Sequence, residues 1–310
     1  MQVLSAAATA AALPYDRLVP ALRQAFAAGI EAPPRAHYVL PRPGEADATL
    51  LTMPVWAGNG SCGGVKIVNV TPGNAARGLP AVTASFLLFD EVTGEHLALI
   101  DGGTLTARRT AAVSALAAAC LARQDSRTLL LVGAGAVAGE LPFAFRTVLP
   151  IERVIVWNRG AERGEALAAR LRAAGLAASY TADLAAGLAA ADVVSAATLS
   201  EQPLIAGAEL RAGQHVDLVG SFRPAMRELD DEGIRRASVF IDTAAALHES
   251  GDLIGPLASG ALDEARLGGT LYDLCAGRVA GRTSPEAITV FKGVGVAVED
   301  LAAAMVAVGR

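Results

Sequence analysis

Apolar residues recur along this chain at two different spacings, and the changes between them divide it into segments. Over residues 15–28, Leu18, Leu22, Ala25 and Phe26 fall on one face at helical spacing, and Pro33 and Pro34 end the run. After Arg35 the pattern becomes that of strands, at residues 37–40, 49–55, 64–70, 84–89 and 96–100. Turn residues separate them, among them Pro72-Gly73-Asn74 and Thr93-Gly94. Adjacent strands without intervening helices predict an antiparallel or mixed sheet. Residues 104–122 then read as one long alanine-rich helix, with Thr104 or Thr106 as N-cap and the role of a connector between domains. Beyond it strands and helices alternate. Strands at 129–132, 153–157, 177–180, 193–196, 215–218 and 239–242, with helices after the first two, predict a parallel sheet of about six strands. Residues 286–308 read as a last helical stretch, broken by glycines at 293–295.

The turn after the first parallel strand carries chemistry. Leu129 to Val132 is an apolar run suited to a strand buried on both faces, and Gly133-Ala134-Gly135-Ala136-Val137-Ala138 follows as G-x-G-x-x-A. Gly133 permits a tight turn, and Gly135 lets the backbone approach a pyrophosphate. Ala138 is small enough for helix–strand packing. The following helix, to about residue 148 with Pro142 in its first turns, aims its free N–H groups at the phosphates. These residues predict an α/β protein: a Rossmann-type parallel-sheet domain at 124–285 preceded by an α+β part at 1–123. At the end of the second strand stand Asn158 and Arg159, with Arg163 a turn further on, and no carboxylate that would repel a 2′-phosphate. The expected cofactor is therefore NADPH, with NADH as the other possibility. Thr198 follows a strand, where loops at the carboxyl edge of such sheets meet cofactor.

Composition narrows the partners. A net charge of −5 and a pI near 5.5 argue against nucleic-acid binding. Cys62, Cys120 and Cys275 are too scattered for a disulfide framework, and His37, His96, His215 and His248 have no metal-ligand spacing, so no metal is expected. No apolar run is long enough for a membrane span and the N-terminal segment lacks a basic start, which makes the cytoplasm the default. Of 26 basic residues only Lys66 and Lys292 are lysines, a compositional hint that those positions need an amine.

Three further segments resemble the ornithine cyclodeaminase/mu-crystallin family. They are Gly64-Val65-Lys66-Ile67-Val68 with Pro72, Asn74 and Gly78-Leu79-Pro80; residues 105–112 (LTARRTAA); and residues 290–295 (VFKGVG) with Glu299-Asp300-Leu301. With the glycine turn they span nearly the whole chain in the family's order. The resemblance implies a Rossmann domain and a substrate and dimerisation domain made of 1–123, to which 286–310 return. Lys66 and Arg109 match the family's binders of a substrate carboxylate, and Arg35 matches a third. A guanidinium can grip a carboxylate through two hydrogen bonds. Lys66 is also the expected proton donor, since burial beside two arginines lowers an ammonium pKa. Val219, Ser221 and Thr83 are expected to line the nicotinamide or the substrate.

The departures from the family pattern select the reaction. Where the cyclodeaminases carry an Asp that handles the substrate amine, this chain has Phe222; where they carry a Thr after Gly-Leu-Pro, it has Ala81. Phe222 cannot hold an ammonium. What remains is similar to the family's ketimine reductases, which implies NADPH-dependent reduction of Δ1-pyrroline-2-carboxylate to L-proline or Δ1-piperideine-2-carboxylate to L-pipecolate. The alternatives are an ornithine or lysine cyclodeaminase, an alanine- or opine-type dehydrogenase, and a non-catalytic NADPH-binding protein. The uncovered antiparallel sheet calls for a partner, so a homodimer is expected.

Overall fold

The strands of the first part of the chain are short apolar runs separated by turn residues. In this computed structural model, which describes residues 1–30 and 32–310, β1 (Gln2–Leu4), α1 (Ala6–Ala12) and α2 (Tyr15–Ala27) come first. Then come β2 (Ala36–Leu40), β3 (Ala48–Trp56), β4 (Cys62–Val70), β5 (Val82–Asp90) and β6 (His96–Asp101). The sheet order is β1-β6-β5-β4-β3-β2, antiparallel except for the parallel β1–β6 pair, so the sheet is mixed. Met53, Lys66, Phe86 and Ile100 are cross-strand partners and all are buried. They lie on one face of the sheet. Residues 1–109 and 296–310 form one compact unit, and 110–295 the other.

The division falls inside α3 (Gly102–Leu121), so the expected boundary at residue 123 lies beyond that helix's end. Neither Thr104 nor Thr106 caps it. The helix begins two residues earlier than Thr104, and the Asp101 carboxylate accepts the Thr104 N–H at 2.8 Å.

The second unit continues with β7 (Thr128–Val132), α4 (Ala136–Phe145), β8 (Arg153–Trp157), α5 (Ala161–Ala173), β9 (Ala177–Tyr180), α6 (Leu184–Ala190), β10 (Val193–Ala196) and β11 (His215–Leu218). It ends with α7 (Asp231–Arg236), β12 (Ala237–Ile241), α8 (Ala246–Glu249), α9 (Gly251–Ser259), β13 (Gly269–Thr270), α10 (Leu271–Cys275) and β14 (Ile288–Lys292). The parallel sheet has eight strands, in the order β13-β12-β14-β11-β10-β7-β8-β9, against about six expected. Pro142 is the seventh residue of α4, within its first two turns as expected.

The main correction concerns residues 286–308. They are not one broken helix: Ile288-Thr289-Val290-Phe291 forms a strand between β11 and β12, buried throughout, and α11 (Ala297–Val308) follows. Three β-branched residues in four favour the pleated geometry. The chain therefore rejoins the first unit only from Val296. There α11 packs on α2 and on β3, β4 and β5. Val298 and Leu301 are buried there, and each such side chain contributes about 1.5–3 kcal/mol. No helix among the described residues is long and apolar enough to cross a membrane.

Candidate functional site

In the first unit the sheet and α11 enclose four charged side chains. Lys66 on β4 is 3% exposed and Arg109 5%, while Glu299 and Asp300 in the first turn of α11 are 1% and 0% exposed. Lys66 Nζ lies 2.7 Å from Asp300 Oδ2, and Arg109 Nε donates to Asp300 Oδ1 at 3.0 Å. Arg109 also pairs with Glu299, whose other oxygen accepts the Val296 N–H at 3.2 Å. Two cations and two anions leave the group neutral when all are ionised. Burial pulls Lys66 down to about 8, with Asp300 opposing and Arg109 adding to the fall. For Arg109 burial acts downward, but Asp300 and Glu299 outweigh it and hold the guanidinium charged. Burial pushes Asp300 up, and Arg109 and Lys66 outweigh it, keeping the carboxyl below its usual range.

Arg109 is thus a buried, paired cation and not a solvated helix charge. Arg35 immediately precedes β2, whose Ala36 pairs with Thr52, next to the Met53 that pairs with Lys66. Thr83 pairs with Asn69 and is exposed. It therefore sits on the opposite face of the sheet from Lys66.

In the second unit the glycine turn fits a dinucleotide. Gly133 has φ +114°, and a Cβ there would lie 2.6 Å from the Ala197 oxygen. Gly135, the N-cap of α4, would project a Cβ into open space, and no side chain caps the helix start. The N–H groups of its first turn, including those of Ala136 and Val137, have no partner within the helix. A phosphate has room and donors there. Beside Ala134 opens a cavity of about 290 Å³ lined also by Arg163, Ala166, Leu167 and Arg170. Arg159 is exposed at the end of β8, while the Asn158 amide donates to the Gly160 carbonyl at 2.8 Å.

The loops leaving β10 and β11 are tied together by an acid that the sequence reading passed over. Glu228 is fully buried and accepts from Thr198 N at 2.7 Å, Thr198 Oγ1 at 2.8 Å and Gly220 N at 2.8 Å. Val219 is half-buried between them in sequence, and Lys292 Nζ donates to the Leu218 carbonyl at 2.8 Å. Ser221 turns its hydroxyl into the protein. It is fully buried, and its hydroxyl donates to Met226 O and pairs with Ser250 Oγ. Among the described residues no group of three or more His, Cys, Asp or Glu is placed to hold a metal.

A profile of the ornithine cyclodeaminase/mu-crystallin family matches residues 2–309. The chain belongs to that family. It is 43% identical over 260 residues to a Δ1-pyrroline-2-carboxylate reductase of Paracoccus denitrificans, covering 83% of this chain and 82% of that protein. It is 36% identical to the enzyme of that name from Colwellia psychrerythraea over 98% of this chain and 97% of that one. Among solved structures, the Thermococcus litoralis Δ1-pyrroline-2-carboxylate reductase in complex with NADH and L-proline superposes with a TM-score of 0.92. Its identity is 31%, over 99% of this chain and 96% of that one.

Phe222 is 41% exposed, with the Arg223 guanidinium 5.7 Å from its ring. Two acids in an otherwise apolar helix, Glu299 and Asp300, were the signal for the buried quartet, because a charge at such a position needs a partner. Glu228 and Lys292 had weaker signals. Each required the parallel sheet to be assembled before its neighbours were known.

Proposed function

We propose that this chain reduces cyclic imino acids with NADPH, taking Δ1-pyrroline-2-carboxylate to L-proline and Δ1-piperideine-2-carboxylate to L-pipecolate. The observation that carries this reading is the neutral buried quartet of Lys66, Arg109, Glu299 and Asp300. A simple keto acid brings an anion that this balanced group cannot neutralise. A protonated imino acid brings its own cation and enters without leaving a charge unpaired. Lys66 and Arg109, with Arg35 as a third cation, orient the carboxylate. Lys66 Nζ, with its pKa near 8, carries a proton at neutral pH and can pass it to the amine nitrogen that hydride addition to the protonated imine leaves neutral. When bound, the reduced nicotinamide supplies the hydride that the imine carbon accepts. The glycine turn of residues 133–137 would hold its pyrophosphate, with Thr198 and Val219 toward the other end. Arg159 and Arg163 favour a 2′-phosphate, with no carboxylate at the end of β8 to bind the ribose of NADH instead.

The test is loss of reduced cofactor absorbance with each imine, run with NADPH, with NADH and with ornithine alone. Rapid oxidation of NADPH with either imine is expected. Arg159→Ala should raise the KM for NADPH about tenfold and change that for NADH little. Proline and ammonia formed from ornithine would overturn the reading in favour of a lyase, and tight NADPH binding without turnover would favour a binding protein.

A homodimer follows from the face of the mixed sheet turned away from α11. By register it carries Tyr38, Trp56, Ile67, Leu87 and Leu99, with Tyr38 51%, Trp56 47% and Ile67 40% exposed. A second copy of the same apolar surface would cover it. Light scattering should return twice the chain mass, and Ile67→Glu should lower it to the monomer's. A monomeric parent protein would end this proposal.

A further inference from the structure

We propose that Glu228 is a positioning residue, a clamp that fixes the loops leaving β10 and β11 against each other and so holds the nicotinamide end of the cofactor in one orientation. This rests on the reading above that the second unit binds NADPH. The clamp has one jaw for each loop. Oε1 accepts both Thr198 donors, from the loop after β10, and Oε2 accepts the Gly220 N–H, from the loop after β11. Only a carboxylate can accept at both ends; an amide must turn a donor toward one of the loops.

The surroundings leave the clamp little play. A Cβ on Gly220 would lie 2.1 Å from the Thr198 oxygen, so the two loops meet backbone to backbone. Glu228 is itself held from both sides of its peptide. Its N–H donates to Asp252 Oδ1 at 2.8 Å, and its carbonyl accepts from Leu204 N at 3.0 Å and Ile205 N at 2.9 Å. Lys292 on β14 supplies a cation facing the carboxylate, and ties the end of β11 through the Leu218 carbonyl. Loops at the carboxyl edge of a doubly wound sheet are where such folds receive their ligands.

A buried acid is an expensive way to join two loops. Burial raises Glu228 to about 7, with Lys292 opposing and Asp252 adding to the rise. An apolar contact would tie the loops at less cost to stability, so the retained charge points to a requirement for fixed orientation.

Glu228→Gln in the full chain tests this, since it preserves shape and removes one acceptor. The readouts are the NADPH dissociation constant, the fluorescence lifetime of the bound nicotinamide, kcat with Δ1-pyrroline-2-carboxylate, and Tm. The lifetime should shorten toward that of free NADPH, and kcat should fall about 30-fold while the dissociation constant changes less than about threefold. A wild-type lifetime would overturn the clamp, even with a lowered Tm, because a purely structural tie moves Tm alone. Should the Gln variant fail to fold, Thr198→Val deletes a single bond to Oε1. It should shorten the lifetime and lower kcat about fivefold, and no change in either would overturn the proposal. A wild-type protein that binds NADPH but reduces no imine would refute the proposed reaction, and the lifetime comparison would still decide the clamp. Failure to bind NADPH would refute both.

Discussion

Replacing Lys66 with Met should lower kcat/KM for the imine by about a thousandfold, since one substitution removes both a carboxylate ligand and the expected proton donor. The variant should still fold, because Asp300 keeps its bond from Arg109 Nε at 3.0 Å. Losing one of two partners for a buried carboxylate should cost about 2–3 kcal/mol, or roughly 4–9 °C in Tm. The pH dependence gives a second check. Lys66 must be protonated to act, and its pKa is about 8 in the folded chain against 10.5 when unperturbed. Wild-type kcat/KM should therefore hold below pH 8 and fall about tenfold per unit above it.

Stability should move the other way. The pKa is lowered by folding, so between pH 8 and 10.5 the unfolded state binds more protons at this residue. The penalty for burying the ammonium is fully present below pH 8 and is relieved as pH rises through that window. Activity falling while the Lys66 contribution to stability rises is hard to produce by general alkaline unfolding. Measuring kcat/KM and Tm across the window in the parent and in Lys66→Met decides it. A variant keeping more than a tenth of the activity, or an alkaline limb unchanged by the substitution, would remove Lys66 from the chemistry.

Gly133→Val should all but abolish NADPH binding. The φ of +114° is closed to a β-branched residue, and the new Cβ would press within 2.6 Å of the Ala197 carbonyl oxygen and 3.2 Å of Thr198 Cγ2. To relieve both, the turn must move away from the loop after β10, and the start of α4 moves with it. Strain of this kind costs about 1–3 kcal/mol, before any loss of phosphate contacts. The expected result is a dissociation constant for NADPH raised at least about a hundredfold, with a protein that still folds at reduced Tm. Gly135→Ala is the companion variant. Its Cβ meets nothing in the protein, so loss of affinity without loss of Tm would locate the phosphate at that position. NADPH affinity surviving Gly133→Val would show that the cofactor does not use this turn.

Periodicity made most of the scaffold legible before any coordinates. The five strands between residues 36 and 101 were legible as short apolar runs separated by turn residues such as Pro72-Gly73-Asn74 and Thr93-Gly94. The turn at 133–138 was legible because its glycines answer a local backbone need. Residues 288–292 were not, since a short apolar run buried on both faces has no periodicity to separate strand from helix. The candidate site divided along similar lines. All four side chains of the quartet lay in segments that match a family pattern, but the pairing of Glu299 and Asp300 with Lys66 and Arg109 became visible only once α11 lay on the sheet. The hydrogen-bond partners of Ser221 and the sheet face of Thr83 were not legible either, because a hydroxyl's direction depends on which acceptor lies nearest and on which face of a strand it falls.

The two lysines have a practical consequence. Lys66 is 3% exposed and Lys292 0%, and the chain has no others. The folded protein therefore offers solvent essentially no primary amine beyond its α-amino group. Acylating reagents, aldehyde fixatives and reducing sugars, which all attack neutral amines, find their targets behind packed sheets. Amine labelling of this protein becomes a clock for its opening: Lys292 reports the second unit and stays silent until that core is breached, while labelling of Lys66, which substrate must reach, reports access to its site.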